Sequence, residues 1–475
     1  MHVLFLTGTQ SGEIIRESLK KAEGFSADVV ETGDIASFLT KNQLKKALLE
    51  HPADCAVVSG MCTADFSPVE AETGVPVFRG TRHAADIRLC FPLIVSGSLS
   101  KTEAADRLLD AEKKRHAKEV LIQREETADA YCTLRQVKFG KDSRIKVLCE
   151  IMDAHRHQAL REAAERALEA GADGIDLGFG FDASADDVRR CFSALEDLRC
   201  VLSVDTLDPE LIKASLFRAD LVFSVTYETL PLLKDALAAS EAAVVLIPRG
   251  EHSLSETIKA AREAGLTKIF ADPLLQPPLS GMTASLSAFL TDTGIPKIMG
   301  CVNATELIDA DSPGLCALLA AAAAECGCAA VLVSEHSDKT AGAVSEMRRA
   351  ADMMQASAGK PYPKDSGCDV FVIKEKRRRN EPALVYDDIR DAECPGENLS
   401  FDPCGSFRIG VENGKIVAVR RRHAIRGDTA EEVFRANQAE GGVSLLDHAA
   451  YLGKELYKAE LSIRFGRSFE QDGEF

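Results

Sequence analysis

The run IKVLCEIM at Ile145–Met152, the stretch RHQALREAAERALEA at Arg156–Ala170 closed by Gly171, and the run GIDL at Gly174–Leu177 set the rhythm of this chain. A short apolar run precedes a segment of helical periodicity, and a Gly just past the last turn accepts the left-handed conformation that ends a helix. The unit recurs with strand-like runs at Val201–Val204, Leu221–Ser224, Val244–Ile247, Ile269–Ala271, Ile298–Met299 and Val331–Val333, and with a second clear helix at Ser253–Ala264 before Gly265. Parallel strands covered on both faces read as continuous Val/Ile/Leu runs, and joining them takes a crossover helix. Eight such units predict a (β/α)8 TIM barrel over residues 143–358, within the ordinary length range.

On the N-terminal side, residues 1–125 show another α/β pattern, with strands at Val3–Leu6, Asp28–Val30, Ala56–Val58 and Pro76–Phe78. This predicts a small doubly wound domain. Its first turn, Gly8-Thr9-Gln10-Ser11-Gly12, leads into an expected helix Ile14–Ala22, and two glycines in a strand-to-helix turn are weak grounds for an anion site. The loop Arg79-Gly80-Thr81-Arg82-His83 is a second such candidate; the two converge if both lie at one end of the sheet. Lys101–Glu126 reads as a long charged helix. Pro361 and Pro363 end the barrel segment. Residues 365–475 then read as an α+β domain: a strand VFVIK, a turn-rich stretch around Pro395-Gly396 and Pro403, a hairpin FRIGVENGKIVAVRR turning at Asn413-Gly414, and two helices. On the last of these, His448, Tyr451 and Glu455 share one face, which suits a packed seam better than a second-substrate site.

The chain of 475 residues has a formal charge of −17, with 57 basic against 74 acidic side chains, which argues against a nucleic-acid partner. The clusters Arg377–Arg379 and Arg420–Arg422 are read as solvated faces. No apolar run is long enough for a membrane span, and MHVLFLTGTQ lacks the charged start of an export signal. The 14 cysteines include no CxxC pair and are read as reduced, mostly buried thiols of a cytoplasmic protein rather than a disulfide frame or a structural zinc site.

In such barrels the chemistry sits at the C-terminal ends of the strands. Those positions hold Asp153 and His155, then Asp176, then Asp205 and Thr206, then Ser224, Thr226 and Tyr227, followed by Arg249, Asp272, Asn303 with Glu306, and finally Glu335, His336, Asp338 and Lys339. Several carboxylates at one mouth require donors or cations to satisfy them. A flat heterocycle with a guanidine-like edge offers paired N–H donors to a carboxylate, and Asp272 and Asp205 suit that role. Asp208, before Pro209, reads instead as a helix N-cap.

The segments AGADGIDLG (Ala170–Gly178), LSVDT (Leu202–Thr206) and FADP (Phe270–Pro273) resemble the pterin-binding barrel of dihydropteroate synthases and of pterin-dependent methyltransferases. GCVNATELIDAD (Gly300–Asp311) and LDHAAYLGKEL (Leu446–Leu456) resemble the archaeal dihydropteroate synthase-like family, which has this three-part layout and occurs in microbes that use tetrahydromethanopterin in place of folate. The resemblance covers nearly the whole chain. It implies a pterin pocket formed by Asp176, Asp205, Ser224, Asp272, Asn303 and Glu335. It also implies a transferase that condenses a hydroxymethyl-dihydropterin diphosphate with an arylamine.

Cations to receive the diphosphate would be Arg249, His155, His336 and Lys339, with a Mg2+ held by the acids, Asp153 first among them. The chain departs from the synthase pattern where Met152-Asp153-Ala154-His155-Arg156 replaces the Asn-Val-Thr-Pro-Asp-Ser signature. It departs again where Val302-Asn303-Ala304 replaces Ser-Arg-Lys and where Ser334-Glu335-His336 replaces Arg-x-His. Gly-x-x-Asn at Gly300–Asn303 resembles the methyltransferases, in which the Asn reaches the methyl-bearing ring nitrogen and a corrinoid takes the carbon. A third reading is a pterin-binding subunit without turnover. The flanking domains are open to binding the second substrate, regulating, or forming a homodimer.

Overall fold

In the computed structural model, the described residues are 1–373, 390, 392 and 401–473. They form two compact units, Met1–Val370 and Phe371–Phe475. The first unit opens with a four-stranded parallel sheet made of β1 (His2–Thr7), β2 (Ser26–Glu31), β3 (Cys55–Val58) and β4 (Val77–Arg79), in the order β2-β1-β3-β4. The first helix runs over Thr9–Leu19, earlier than the expected Ile14–Ala22. Gly12 is therefore inside it, at a point where a Cβ would meet the Glu31 carboxylate, so that glycine serves close packing rather than a phosphate loop.

The charged helix spans Asp110–Thr127. It is followed by a hairpin that the sequence pattern does not disclose, β5 (Cys132–Leu134) with β6 (Val137–Phe139). The barrel itself consists of β7 (Lys146–Ile151), β8 (Gly174–Gly178), β9 (Val201–Asp205), β10 (Leu221–Val225), β11 (Ala243–Leu246), β12 (Ile269–Ala271), β13 (Lys297–Gly300) and β14 (Cys328–Ser334). These eight strands are parallel and closed, with β14 pairing back to β7. Alternation along each strand divides the core in two. Val147, Cys149 and Ile151 join the layer between sheet and helices. Leu148, Val201, Leu221, Phe223, Val245, Phe270, Ile298 and Leu332 fill the interior together with Leu134 and Phe139 of the hairpin.

The hairpin plugs the bottom of the barrel. Phe139 is fully buried with its ring 5.6 Å from that of Phe270, and Tyr131 donates to the Thr267 carbonyl just before β12. Helix starts follow local chemistry: Ser184 and Ser253 make reciprocal capping boxes with Asp187 and Glu256, and Asp208 caps Pro209–Ser215 through the Glu210 N–H at 2.8 Å. The expected helix Arg156–Ala170 shortens to Leu160–Glu169, because Asp153 turns left-handed (φ 47°) and Ala154–Arg156 forms a tight 3-10 turn.

In the second unit, β15 (Arg408–Glu412) and β16 (Lys415–Arg420) form the expected hairpin, with positive φ at both Asn413 and Gly414 as a type I′ turn requires. A further strand, β17 (His423–Gly427), is an addition to the expected elements. Val370–Ile373 of the expected strand VFVIK are irregular, and Lys374, Arg377–Arg379 and Pro395-Gly396 lie outside the described residues. The helix Leu446–Phe465 packs within this unit: His448 binds Asp402 at 2.9 Å, Tyr451 donates to Asp472 at 2.7 Å, and Glu455 accepts from Lys458. No described helix is long and apolar enough to cross a membrane.

Candidate functional site

The inward parity that buries Leu148, Val201 and Leu332 carries polar residues at the top of the same strands. Glu150 on β7 is in register with Asp176 on β8, and Asp176 with Ser203 on β9; one step higher, Gly178 pairs with Asp205. Carboxylate oxygens of Glu150, Asp176 and Asp205 all lie within 4.8 Å of one another. Asp176 is fully buried; one oxygen accepts from the Ser203 hydroxyl at 2.5 Å, and the other is buried without a protein donor.

Asp205 accepts from Ser224 at 2.5 Å. That bond depends on a break in the β10 register between Val222 and Val225, where Ser224 adopts φ 61° and its hydroxyl is re-aimed toward β9. Asp272, only 5% exposed, accepts from the Leu274 N–H at 2.8 Å. A Cβ at position 300 would stand 3.4 Å from its other oxygen, and one at position 178 would stand 3.0 Å from Glu150, so both glycines keep space open at the acids.

Burial without counter-charge raises the proton affinity of all four acids. Desolvation, with the Asp205 and Glu306 charges, pushes Glu150 up to about 8, and desolvation pushes Asp272 up to about 7. Asp176 is raised well above the usual carboxylate range by burial and by the neighbouring Asp205 and Glu150; Asp205 is raised by burial, against the Ser224 hydrogen bond. A ligand edge rich in N–H donors would favour the ionised forms.

Glu150 and Asp205 line a cleft of about 890 Å3 whose walls also include Met152, Asp153, Phe179, Phe181, Ser224, Arg249 and Leu274; Asp176 and Asp272 are buried behind it. Phe179 is buried and Phe181 fully exposed, giving the rim an aromatic lip. Arg249 is the one cationic side chain among the described residues lining the cleft.

Several expected site residues are placed elsewhere. Glu335 accepts from the Val344 N–H at 3.0 Å and anchors the start of the helix Ala343–Ala356. Lys339 is spent on the Ile308 carbonyl at 2.9 Å and on Asp309 at 3.2 Å. His336 is exposed on the β14 loop. The His155 ring lies against Phe179 and 3.3 Å from Asp182, and it does not line the cleft. Asn303 is exposed at the start of Val302–Glu306, its amide 3.5 Å from the Leu275 carbonyl. Glu306 gathers donors from Ser334, His336, Ser337 and Thr340, which hold it below its ordinary range as a structural hub. Asp153 lines the rim and is not part of the close acidic trio, so the described group with cation-binding spacing is not the one expected.

Sequence reasoning does not single out Glu150 or the two phenylalanines. Glu150 is legible as the one acid in an apolar strand, two positions beyond the inward Leu148; Phe179 and Phe181 carry no signal beyond loop position.

Comparisons place these features in a family. Residues 401–472 match a sequence family described as PterinBD-DUF4346, a match that falls on the second unit. A relative, the uncharacterized protein MJ0107 of Methanocaldococcus jannaschii, is 32% identical over 99% of this chain and 98% of its own length. Among solved structures, Yersinia pestis dihydropteroate synthase with a pterine-sulfa conjugate is similar at 22% identity over 48% of this chain and 98% of its own, with a TM-score of 0.40. The Thermus thermophilus dihydropteroate synthase in complex with 6HMPPP is similar at 21% identity over 47% and 98%, with a TM-score of 0.39. By its near-full-length relative, its C-terminal match and its closed parallel barrel, this chain belongs to the archaeal dihydropteroate synthase-like family of pterin-binding-type barrels.

Proposed function

We propose that the barrel mouth binds a reduced pterin and condenses its hydroxymethyl diphosphate with an arylamine, a step of tetrahydromethanopterin synthesis. One observation carries this reading: Asp205 and Asp272, three strands apart around the mouth, each accept one protein hydrogen bond, from Ser224 and from the Leu274 N–H, which leaves carboxylate oxygens for an incoming guanidine-like edge. Glu150 and Asp176 form the floor beneath, and Phe179 and Phe181 supply apolar surface for a flat ring.

In the reaction the amine nitrogen attacks the exocyclic methylene carbon, a C–N bond forms, the C–O bond to diphosphate breaks, and the amine loses a proton. The residues contribute by fixing ring and amine in line and by excluding water. Arg249 at the rim faces the leaving charge. An all-oxygen rim fits Mg2+, which is commonly held by one or two carboxylates together with substrate phosphates; Asp153 would hold it, and it would offset the diphosphate charge.

The scarcity of cations favours a second reading. With Lys339 held by Asp309 and His155 beside Asp182, Arg249 is the one described cation lining the cleft, and such a cleft also admits a neutral methyl-pterin, the substrate of a methyltransferase. Supplying purified protein with dihydropterin diphosphate, arylamine and Mg2+ tests the first reading: diphosphate should appear only when both organic substrates are present. Tight binding of methyl-pterin with no diphosphate release would support the second.

A further inference from the structure

A second cleft, of about 300 Å3, lies in the N-terminal part of the first unit, away from the barrel mouth. Its walls come from the segments after all four parallel strands: Gln10 and Ser11 after β1, Asp34 after β2, Met61 after β3 and Arg82 after β4, with Tyr362 from the segment that follows the barrel. The sheet order β2-β1-β3-β4 reverses direction at β1, and in doubly wound sheets the crevice beyond the carboxyl ends at such a reversal is where ligands bind. The two loops that read as separate anion candidates in the sequence thus border one cavity.

The cleft is polar in opposite senses at its two sides. Asp34 follows one edge strand and Arg82 the other, three inter-strand spacings away, roughly 14 Å at the backbone. Both residues line the cleft. Arg82 makes one long contact to Asp365, 3.4 Å through a single Nη. On the Arg82 side the wall is stiff: the Tyr362 ring rests on His83 at 4.6 Å, and His83 is buried.

A ligand matching this arrangement carries hydrogen-bond donors at one end and a dianion at the other. A carboxylate after the second strand receives ribose hydroxyls in nucleotide-binding sheets, while a guanidinium suits a phosphate; here the Asp34 carboxylate also accepts from the Thr9 hydroxyl at 3.5 Å. We infer that this cleft binds a phosphorylated ribose, with its hydroxyls on Asp34 and its phosphate at Arg82. The site is separate from the barrel and stands whichever reaction the barrel performs.

Calorimetric titration of the full chain with AMP, ribose 5-phosphate and inorganic phosphate tests this. Both ribose phosphates should bind, and Arg82→Gln should weaken every probe roughly tenfold or more, as expected for a charge-assisted contact. Asp34→Asn should weaken AMP and ribose 5-phosphate, yet leave inorganic phosphate and 2′-deoxy-AMP unchanged. Met61→Trp, at a partly exposed position, should block the cleft without unfolding the chain, and Asp272→Asn in the barrel should leave AMP binding intact. The inference is overturned by no binding of either ribose phosphate, by binding indifferent to Met61→Trp, by binding lost in Asp272→Asn, or by ribose phosphates indifferent to Asp34→Asn.

Discussion

The two ends of the barrel treat charge in opposite ways. At the bottom, Lys146 is 1% exposed but donates to both oxygens of Glu125 and to the Arg144 carbonyl, and Arg218 pairs with Asp220 at 2.7 Å. The β5–β6 hairpin seals that mouth with Phe139. At the top, Glu150, Asp176 and Asp205 stand close together and Asp272 feels the Asp205 charge, the proton affinities of all four are raised, and Arg249 is the one described cation lining the cleft. Paired charge and apolar plug at one end serve stability. Unpaired charge at the other is costly unless a ligand satisfies it, which is the physical signature of a site.

The largest expected break of this contrast is at the bottom. Phe139→Ala should cost about 3–5 kcal/mol in urea denaturation, the range for truncating a buried aromatic, while pterin affinity of the folded fraction is unchanged. A loss of affinity without loss of stability would show that the plug shapes the mouth.

Next in size is Asp272→Asn, which should weaken pterin binding by about 1.5–3 kcal/mol, as expected for a hydrogen bond to a charged group. The same variant should stabilise the ligand-free protein at pH 8. The folded value of about 7 lies above the unfolded carboxylate value, so the folded state loses stability as pH rises through this interval and remains penalised above it. An unchanged melting temperature at pH 8 would contradict this.

The pH dependence of binding sharpens the same point. If the ring edge binds the ionised form of Asp272, pterin affinity should fall roughly tenfold from pH 8 to pH 6, and Asp272→Asn should flatten the profile. Titrations at the two pH values measure it.

The smallest effect concerns an acid that the fold removed from the mouth. Glu335→Gln should cost about 0.5–1 kcal/mol of stability through the weakened helix anchor and leave pterin binding unaltered. A tenfold loss of affinity would return Glu335 to the site.

Much of this is readable from the chain alone. Strands buried on both faces must be apolar throughout and their connecting helices must keep a 3.6-residue period, so eight repeats name the barrel; strand ends then single out Asp205 and Asp272, and Asn413-Gly414 names its turn. These are local properties, carried by residues adjacent in sequence. Whether a charge is free or engaged is not local. Lys339 finds Asp309 and the Ile308 carbonyl on another loop, Glu306 collects Ser334, Ser337 and Thr340 from the β14 loop, and Glu150 meets Asp176 and Asp205 only when three strands close in register. Periodicity determined the scaffold and the candidate acids, whereas closure of the barrel decided which acids face one another across the mouth and which cations were already taken.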